Sequence, residues 1–582
     1  MKYAKEIKRM RDRKERRYVC TVSGNRWIVA LFILAAISAF GQVPSETRVP
    51  KALVIMLDGL RADVVENGDL PYMKKLMEGK WQPGYKGAWS LCASTIRDGS
   101  TESAPNHVAI ATGMTTKKTG ISWNPDLVCT AGTDTRKWPT WLARLAKERR
   151  GTRALHIFSW YGDLNISPDY GVRFIFDRDP ENAQLLKKMM AESDAPDAVM
   201  WYIDRPDHAG HGSGYYPYSS QYLKAVHECD DEIGSVLDAI ASRPTFGQED
   251  WLFYITSDHG GWEGYHGQSS TQCYTVPVIL VGRHIEAGRI AATVHNYDAA
   301  PTALAHFGVD ISMMGFDGNV TGNQTVTDTA RPWKDGLAVY LPFDGGKAEN
   351  RGSAEVSCEL HGGASIPTND GRFGGFLRVS AATNRAGYAL LKGSEKLQFE
   401  NGNEFTFAMW VRTFGPQVGD PVVLCNKNWS GGSNPGVALI ASRHVDMSRT
   451  SGYNFKKKGH HTPGFMFNCG REGKKREDLG VYNPEFGKWV FYAMTRGADG
   501  KVRFYQGRSD GYLYCVADDL SDIAFATGMP FYIGQDGRGI YERPFVGDVD
   551  ELAIWTRGFT HGEVREIWNF SKQGKRPIES PR

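Results

Sequence analysis

Short apolar runs that stop abruptly at an acid or an imidazole recur through the first half of the chain. Lys51-Ala-Leu-Val-Ile-Met-Leu57 ends at Asp58-Gly59, Ala198-Val-Met-Trp-Tyr-Ile203 runs into Asp204-Arg-Pro-Asp-His-Ala-Gly-His211, and Trp251-Leu-Phe-Tyr-Ile-Thr-Ser257 runs into Asp258-His259-Gly260-Gly261. Runs this short and continuous predict strands buried on both faces. Each delivers a polar side chain at its C-terminal edge, where open α/β sheets place their ligands. Val276–Gly282 reads as a further strand. Helical stretches at Thr140–Lys147, Tyr222–Ala241 and Asp298–Phe307 alternate with the strands, which predicts an α/β domain over residues 48–312, a mostly parallel sheet sandwiched by helices. Asp, Gly, Asn and Thr then dominate, and a linker is placed at 313–335. Over 336–575 helical patterning nearly vanishes. Segments such as Leu337–Pro342, Phe405–Arg412, Gly436–Ala441, Trp489–Thr495, Val502–Gln506, Phe531–Ile533 and Leu552–Trp555 predict an antiparallel all-β sandwich.

Length changes this picture little: 582 residues, 41% hydrophobic and 23% charged, suit a soluble globular chain of two to four domains. Charge changes it more. Residues 1–26 carry ten Lys/Arg against three acidic residues, and Trp27–Phe40 is an apolar run of fourteen, short of the roughly 20 needed to span a bilayer. With the small residues around Ala39-Phe40-Gly41, this reads as a signal peptide over 1–41, and a retained anchor is the alternative. No stable membrane span is expected, and the chain is placed as exported: periplasmic, extracellular or at the cell surface. Removing the leader takes +7 from a net +3 and leaves about −4, so the basic balance belongs to the leader and gives no nucleic-acid-binding patch. Eight cysteines remain beyond it, without Cys-x-x-Cys spacing; some are expected to pair as disulfides, in an order the sequence does not fix.

The chemistry gathers around Gly99-Ser-Thr-Glu-Ser-Ala-Pro-Asn-His107. Ser103 precedes the start of a helix, Ala104–Gly113, where Pro105 suits the first turn and the dipole favours an alkoxide or a phosphoryl oxygen. Taken alone, Ser103 reads equally as an N-cap. The strand-end motifs add Asp58, Asp207, His211, Asp258, His259 and, from Gly264-Tyr-His-Gly267, His266. Carboxylates with imidazoles are the ligand set of borderline divalent metals, Zn²⁺ foremost. Two such ions form the clamp used in displacement at phosphorus.

These residues resemble the alkaline phosphatase superfamily, and within it the nucleotide pyrophosphatase/type I phosphodiesterase branch. The resemblance rests on Asp58-Gly59, Ser103 before Ala104-Pro105-Asn106-His107, Asn124 twenty-one positions on, Pro206-Asp207-His208-Ala209-Gly210-His211, Asp258-His259-Gly260 and His266. It implies two Zn²⁺, one on Asp207, His211 and His266, the other on Asp58, Asp258, His259 and the Ser103 oxygen. It also implies Ser103 as nucleophile, through a phosphoseryl intermediate, and Asn124 as a donor to the phosphoryl oxygen. The branch usually carries Thr as nucleophile, and Glu102-Ser103-Ala104 is instead similar to the Asp-Ser-Ala of alkaline phosphatases. Sulfatases are disfavoured because His107 stands where their motif carries Arg. His107 is read as a hydrogen-bonded structural histidine facing the helix side of its loop, Asp204 as a partner behind the ligands, and His208 as a further candidate. Trp123, Trp160 and Tyr161 are either stacking platforms for a base or sugar or parts of the core.

In the second half, Phe405–Arg412, Lys488–Met494, Phe545–Trp555 and Thr560–Trp568 resemble a laminin-G-like, concanavalin A-like jelly roll. That resemblance implies a carbohydrate or surface ligand, often with Ca²⁺. Asp344 and Asp550 are the candidate ligands, and both are equally turn residues. The expectation is an exported phosphoric-ester hydrolase, a phosphodiesterase acting on a phosphate-ester small molecule or phospho-substituted glycan. The alternatives are a phosphomonoesterase or a non-catalytic, metal-bearing binding protein.

Overall fold

The computed structural model describes residues 48–578 apart from 129–137, 167–170, 216–218, 263, 268–270, 291–292, 324, 327–330, 380–386, 398–403, 446–461, 471–477, 483–484, 499, 510, 512, 520–526 and 577. The leader, Cys129 and part of the linker lie outside the described residues.

The first apolar runs become the centre of a sheet. Its strands are β1 (Val49–Leu57), β2 (Lys86–Ser94), β3 (Ala154–Phe158), β4 (Val172–Phe176), β5 (Ala198–Ile203), β6 (Glu249–Ser257), β7 (Thr275–Gly282), β8 (Gly288–Ile290) and β9 (Thr325–Val326), in the order β4-β3-β5-β1-β6-β7-β2-β8-β9. The run β4-β3-β5-β1-β6 is parallel throughout, whereas β7 pairs antiparallel with both β6 and β2. The β1 side chains from Ala52 to Leu57 are fully buried, as a strand covered on both faces requires. One face packs on the helices Asp179–Ala191 and Ser220–Ala241, the other on Ser103–Thr112, Trp141–Glu148 and Ala299–His306. Two helix starts carry the expected caps: the Thr140 hydroxyl accepts from Ala143 N–H, and the Ser219 hydroxyl accepts from Tyr222 N–H.

Register positions the site. Leu57 of β1 pairs with Ile203 of β5 and with Ser257 of β6, so three adjacent parallel strands end level. The next residue on each is an aspartate: Asp58, Asp204 and Asp258.

The second half folds as two facing antiparallel sheets. The first contains β10 (Leu337–Leu341), β23 (Gly547–Trp555), β14 (Phe405–Arg412), β19 (Val490–Arg496), β20 (Lys501–Gly507) and β21 (Leu513–Asp519), in that order, with β12 (Leu377–Val379) on β23. The second runs β11 (Ser357–His361), β13 (Tyr388–Lys392), β22 (Phe531–Ile533), β15 (Val422–Cys425), β16 (Gly436–Val445), β17 (Thr462–Gly470) and β18 (Asp478–Tyr482). Phe405, Phe407, Phe467, Phe531 and Ile554 fill the space between them. The helix His561–Lys572, opened by a Thr560/Glu563 capping box, lays Trp568 on the outer face of the first sheet against Trp410 and Phe491.

The two halves meet along β2 and β21. Asn67 pairs with both backbone groups of Leu513, at 3.0 and 3.2 Å, and the Lys501 ammonium donates to the Cys92 carbonyl at 2.8 Å. Among the described residues no helix is long and apolar enough to cross a membrane. No disulfide is formed among the described cysteines; Cys92 and Cys515 stand with their sulfurs 3.6 Å apart.

Candidate metal centre

All seven residues expected to form the site converge. Asp58 and Asp258 come from the level ends of β1 and β6. Ser103 is the first residue of the Ser103–Thr112 helix, and Asp207 with His211 lie one turn apart on the helix Arg205–Ser213. His266 arrives on the loop after β6. His259 Nε2 lies 3.1 Å from Asp58, 3.2 Å from Asp258 and 3.4 Å from Ser103 Oγ. The His259 and His266 rings stack with centroids 3.8 Å apart. His266 Nε2 is 3.1 Å from His211 Nε2 and 3.6 Å from Asp207, and His211 Nε2 is 3.3 Å from Asp207. The N-cap of the Ser103 helix is Glu102, with extended backbone and no capping hydrogen bond from its side chain, so the Ser103 hydroxyl is not spent on capping.

The donor chemistry fits cations. The Nδ1 of His211 donates to the Gly264 carbonyl at 2.8 Å, and that of His259 donates to the Gly260 carbonyl at 2.7 Å. Each bond fixes the tautomer and aims the Nε2 lone pair into the site. Asp58 Oδ1 takes no properly directed hydrogen bond although it is buried. Burial and the neighbouring His259 charge push the His266 imidazole down to about 3, keeping it neutral, as a ligand must be. Burial opposes protonation of His259, but Asp258 and Asp58 outweigh it and raise the ring to about 10. Three clustered carboxylates favour positive charge among them, and His107 and His211 are raised beside them as well.

Asn124 is oriented from two sides. Its Oδ1 accepts from Ala104 N–H at 2.8 Å, and its own N–H donates to Glu102 at 2.6 Å.

Several residues sequence reasoning did not assign hold the ligands in place. The Tyr202 hydroxyl bridges Asp58 at 2.6 Å and Asp204 at 2.9 Å; Asp204 also pairs with His208 and groups closely with Asp58 and Asp207. The Tyr215 hydroxyl donates to Asp207. Its ring is enclosed by the glycines of three separate motifs: a Cβ on Gly59, Gly210 or Gly261 would come within 2.9, 2.6 and 2.6 Å of ring carbons. His107 is satisfied, as expected, but it does not face away. Its Nδ1 meets Asp163 at 2.8 Å and its Nε2 meets Asp258 at 3.1 Å, one helical turn beyond Ser103. Burial raises the Asp163 carboxyl, and His107 and His156 more than offset it. Trp160 packs edge-on against His107, while Trp123 and Tyr161 are exposed. A Tyr inside an apolar strand reads as core, so only its partner in space could have identified it.

In the second half the Ca²⁺ expectation finds no open ligand set. Asp344 is taken by the Arg576 guanidinium at 2.6 and 2.8 Å. Asp550 accepts the N–H groups of Arg372, Phe373 and Glu551.

The fold and this site together define an alkaline-phosphatase-like α/β domain joined to a jelly roll. Residues 52–266 match the family described as type I phosphodiesterase / nucleotide pyrophosphatase, and residues 384–565 match the concanavalin A-like lectin/glucanases superfamily in its laminin G form. The chain thus carries a nucleotide pyrophosphatase/phosphodiesterase-type domain followed by a laminin-G-like one. Ectonucleotide pyrophosphatase/phosphodiesterase family member 1 of Rattus norvegicus is 25% identical over 250 residues, covering 38% of this chain and 25% of its own. Bis(5'-adenosyl)-triphosphatase enpp4 of Mus musculus is 28% identical over 237 residues, covering 37% and 48%. The chain spans between a quarter and a half of the length of these two relatives. Among solved structures, murine ectonucleotide pyrophosphatase / phosphodiesterase 5 in complex with AMP aligns at 14% identity with TM-score 0.35, over 45% of this chain and 96% of that one. A putative sulfatase from Bacteroides thetaiotaomicron aligns at 14% identity with TM-score 0.38, over 59% and 83%.

Proposed function

We propose that the chain is an exported phosphoric-ester hydrolase, a phosphodiesterase that uses Ser103 as nucleophile beside two Zn²⁺. The observation that carries this reading is the Ser103 hydroxyl, buried at a helix start and 3.4 Å from His259 within a ring of three carboxylates and three imidazoles. Asp207, His211 and His266 would hold one cation; Asp58, Asp258, His259 and the Ser103 oxygen would hold the other. Bound there, the cations supply Lewis acidity toward the phosphoryl oxygens and lower the pKa of the serine hydroxyl, so no separate general base is required.

The chain's own groups do the rest. Ser103 Oγ attacks phosphorus in line as the bond to the leaving oxygen breaks. The helix start behind it and the Asn124 NH₂ favour the charge growing on the non-bridging oxygens. Water then cleaves the phosphoseryl ester and restores the serine. Trp123, beside Asn124, and Tyr161, beside Trp160, offer exposed rings to a base or sugar of the leaving group. A nucleotide ester fits this arrangement, in keeping with the names of the relatives. The laminin-G-like half would bind a glycan or another surface.

Serine in place of threonine favours one second reading, phosphomonoesterase action. Assays of the purified chain with bis-nitrophenyl phosphate, nitrophenyl phosphate and nitrophenyl sulfate, each with and without chelator, separate the readings. Chelator-sensitive turnover fastest on the diester is expected. Preference for the monoester selects the second reading, and no turnover on any substrate in zinc-replete buffer refutes both.

A further inference from the structure

Where the two halves meet, four buried side chains unused by the hydrolase site come together, two from each half. Cys92 on β2 and Glu66 on the helix Ala62–Asn67 come from the first half; Cys515 on β21 and His561, at the start of the last helix, come from the second. The sulfurs of Cys92 and Cys515 and a ring nitrogen of His561 lie within 4.8 Å of one another. His561 Nε2 pairs with Glu66 at 2.7 Å, and these two side chains are 2% and 3% exposed. His561 Nδ1 is buried without a hydrogen-bond partner.

The geometry points to a structural thiolate-histidine metal site, Cys92, Cys515 and His561 holding one zinc-class cation that staples the hydrolase half to the jelly roll. Three observations carry it. Zinc–sulfur bonds of about 2.3 Å at a tetrahedral angle place two sulfurs about 3.7–3.8 Å apart, whereas a disulfide needs about 2.05 Å. The sulfurs here are 3.6 Å apart. Next, Glu66 occupies Nε2 and leaves the Nδ1 lone pair as the coordinating atom, the carboxylate–histidine–metal arrangement. A Cys-Cys disulfide would use neither His561 nor Glu66. Finally, a cavity of about 10 Å³ lined by Cys92, Lys501, Arg503 and His561 has room for about one water, enough for a fourth ligand.

The two thiols differ: burial and the neighbouring Cys92 push the Cys515 thiol well above its ordinary range, so its proton is one that a bound cation must displace. The contact with Cys515, then Arg503, His561 and Lys501, holds the Cys92 thiol below its ordinary range. Two thiolates neutralise the divalent ion itself, and Lys501 and Arg503 line the same cavity as His561, whose partner is the buried Glu66 carboxylate. On binding, each thiol that is still protonated releases its proton to solvent, and no electrons are exchanged.

The test uses the full chain and does not depend on the hydrolase reading, because the proposed catalytic ligands include no sulfur. Metal-free protein is titrated with Co²⁺ while the near-ultraviolet thiolate-to-cobalt charge-transfer band is followed. The band should rise to the intensity of one two-thiolate Co²⁺ centre per chain, persist in Ser103→Ala and in Asp207→Asn, and vanish in Cys515→Ser with ester hydrolysis retained. Because Cys515→Ser can fail to fold, the zinc-loaded wild type is also treated with a mercurial and released zinc is read with a chromogenic chelator, one equivalent being expected. A missing band, no zinc released by the mercurial, or a Cys92–Cys515 cross-linked peptide in the non-reduced digest would each overturn the proposal.

Discussion

Gly210→Ala tests whether the motif glycines serve the ligands through Tyr215. Gly210 lies inside the helix Arg205–Ser213. Helical propensity alone makes Ala about 1 kcal/mol better than Gly there. The added Cβ, however, would stand 2.6 Å from Tyr215 Cζ, whereas carbons pack at about 3.5–4.0 Å. The ring would have to yield by about 1 Å, and Gly59 and Gly261 already press on it. Overpacking of this kind costs about 1–3 kcal/mol, which outweighs the propensity gain over most of that range. The displaced hydroxyl also gives up its hydrogen bond to Asp207, a charged acceptor, worth about 1.5–3 kcal/mol. Loss of a partner behind a metal ligand typically lowers metal affinity or activity by about 10–100-fold.

The assay pairs a chelator-competition titration with thermal melting, and sets Gly210→Ala beside Tyr215→Phe. The phenylalanine keeps the ring and removes only the hydroxyl, so it should weaken metal binding with a smaller loss of stability than Gly210→Ala. A Gly210→Ala protein that binds metal within about twofold of wild type and melts higher than wild type would refute the argument, because propensity alone would then have decided the outcome.

Ser103→Ala should abolish turnover of nitrophenyl esters while elemental analysis still finds metal on the remaining six ligands; unchanged rates would remove Ser103 as nucleophile. Asn124→Asp keeps an oxygen for the Ala104 N–H but loses the donor, and kcat should fall about 10²–10³-fold at unchanged melting temperature. In the jelly roll, burial raises Asp550 to about 7 and, with Asp550 beside it, Glu551 to about 8. The folded state therefore holds protons that the unfolded chain has released above about pH 4, so this stability is complete below about pH 4, falls as pH rises from there and is fully lost above about 7 to 8. Unfolding free energies from denaturant titrations should decline over that window by no more than about 1.4 kcal/mol per pH unit for each proton, and Glu551→Gln should flatten the decline.

What the chain revealed before folding follows from the range of each interaction. Asp58 and Asp258 were legible because a buried strand announces itself by continuous apolar residues, and whatever ends it must sit at the sheet edge. The convergence of those edges depends on strand order, with β1 between β5 and β6, and that order is a long-range fact which the resemblance supplied and periodicity could not. Strand β2 escaped because Lys86-Gly-Ala-Trp-Ser mixes polar and small residues, and its antiparallel partner β7 buries it by pairing. Tyr202 sits inside an apolar strand run and Tyr215 follows a helix end without a signal of its own; both rings are buried, and only the hydroxyls reach the site. The partner of Asp344 was not legible, because the Arg576 guanidinium reaches it from 232 residues further along the chain and leaves no local trace. The same reasoning explains why Cys92, Cys515, His561 and Glu66 carried no signal. Their separations of 423 residues between the cysteines and 495 between Glu66 and His561 span two domains, and only the docking of β2 against β21 brings the three proposed ligands and the Glu66 behind His561 together.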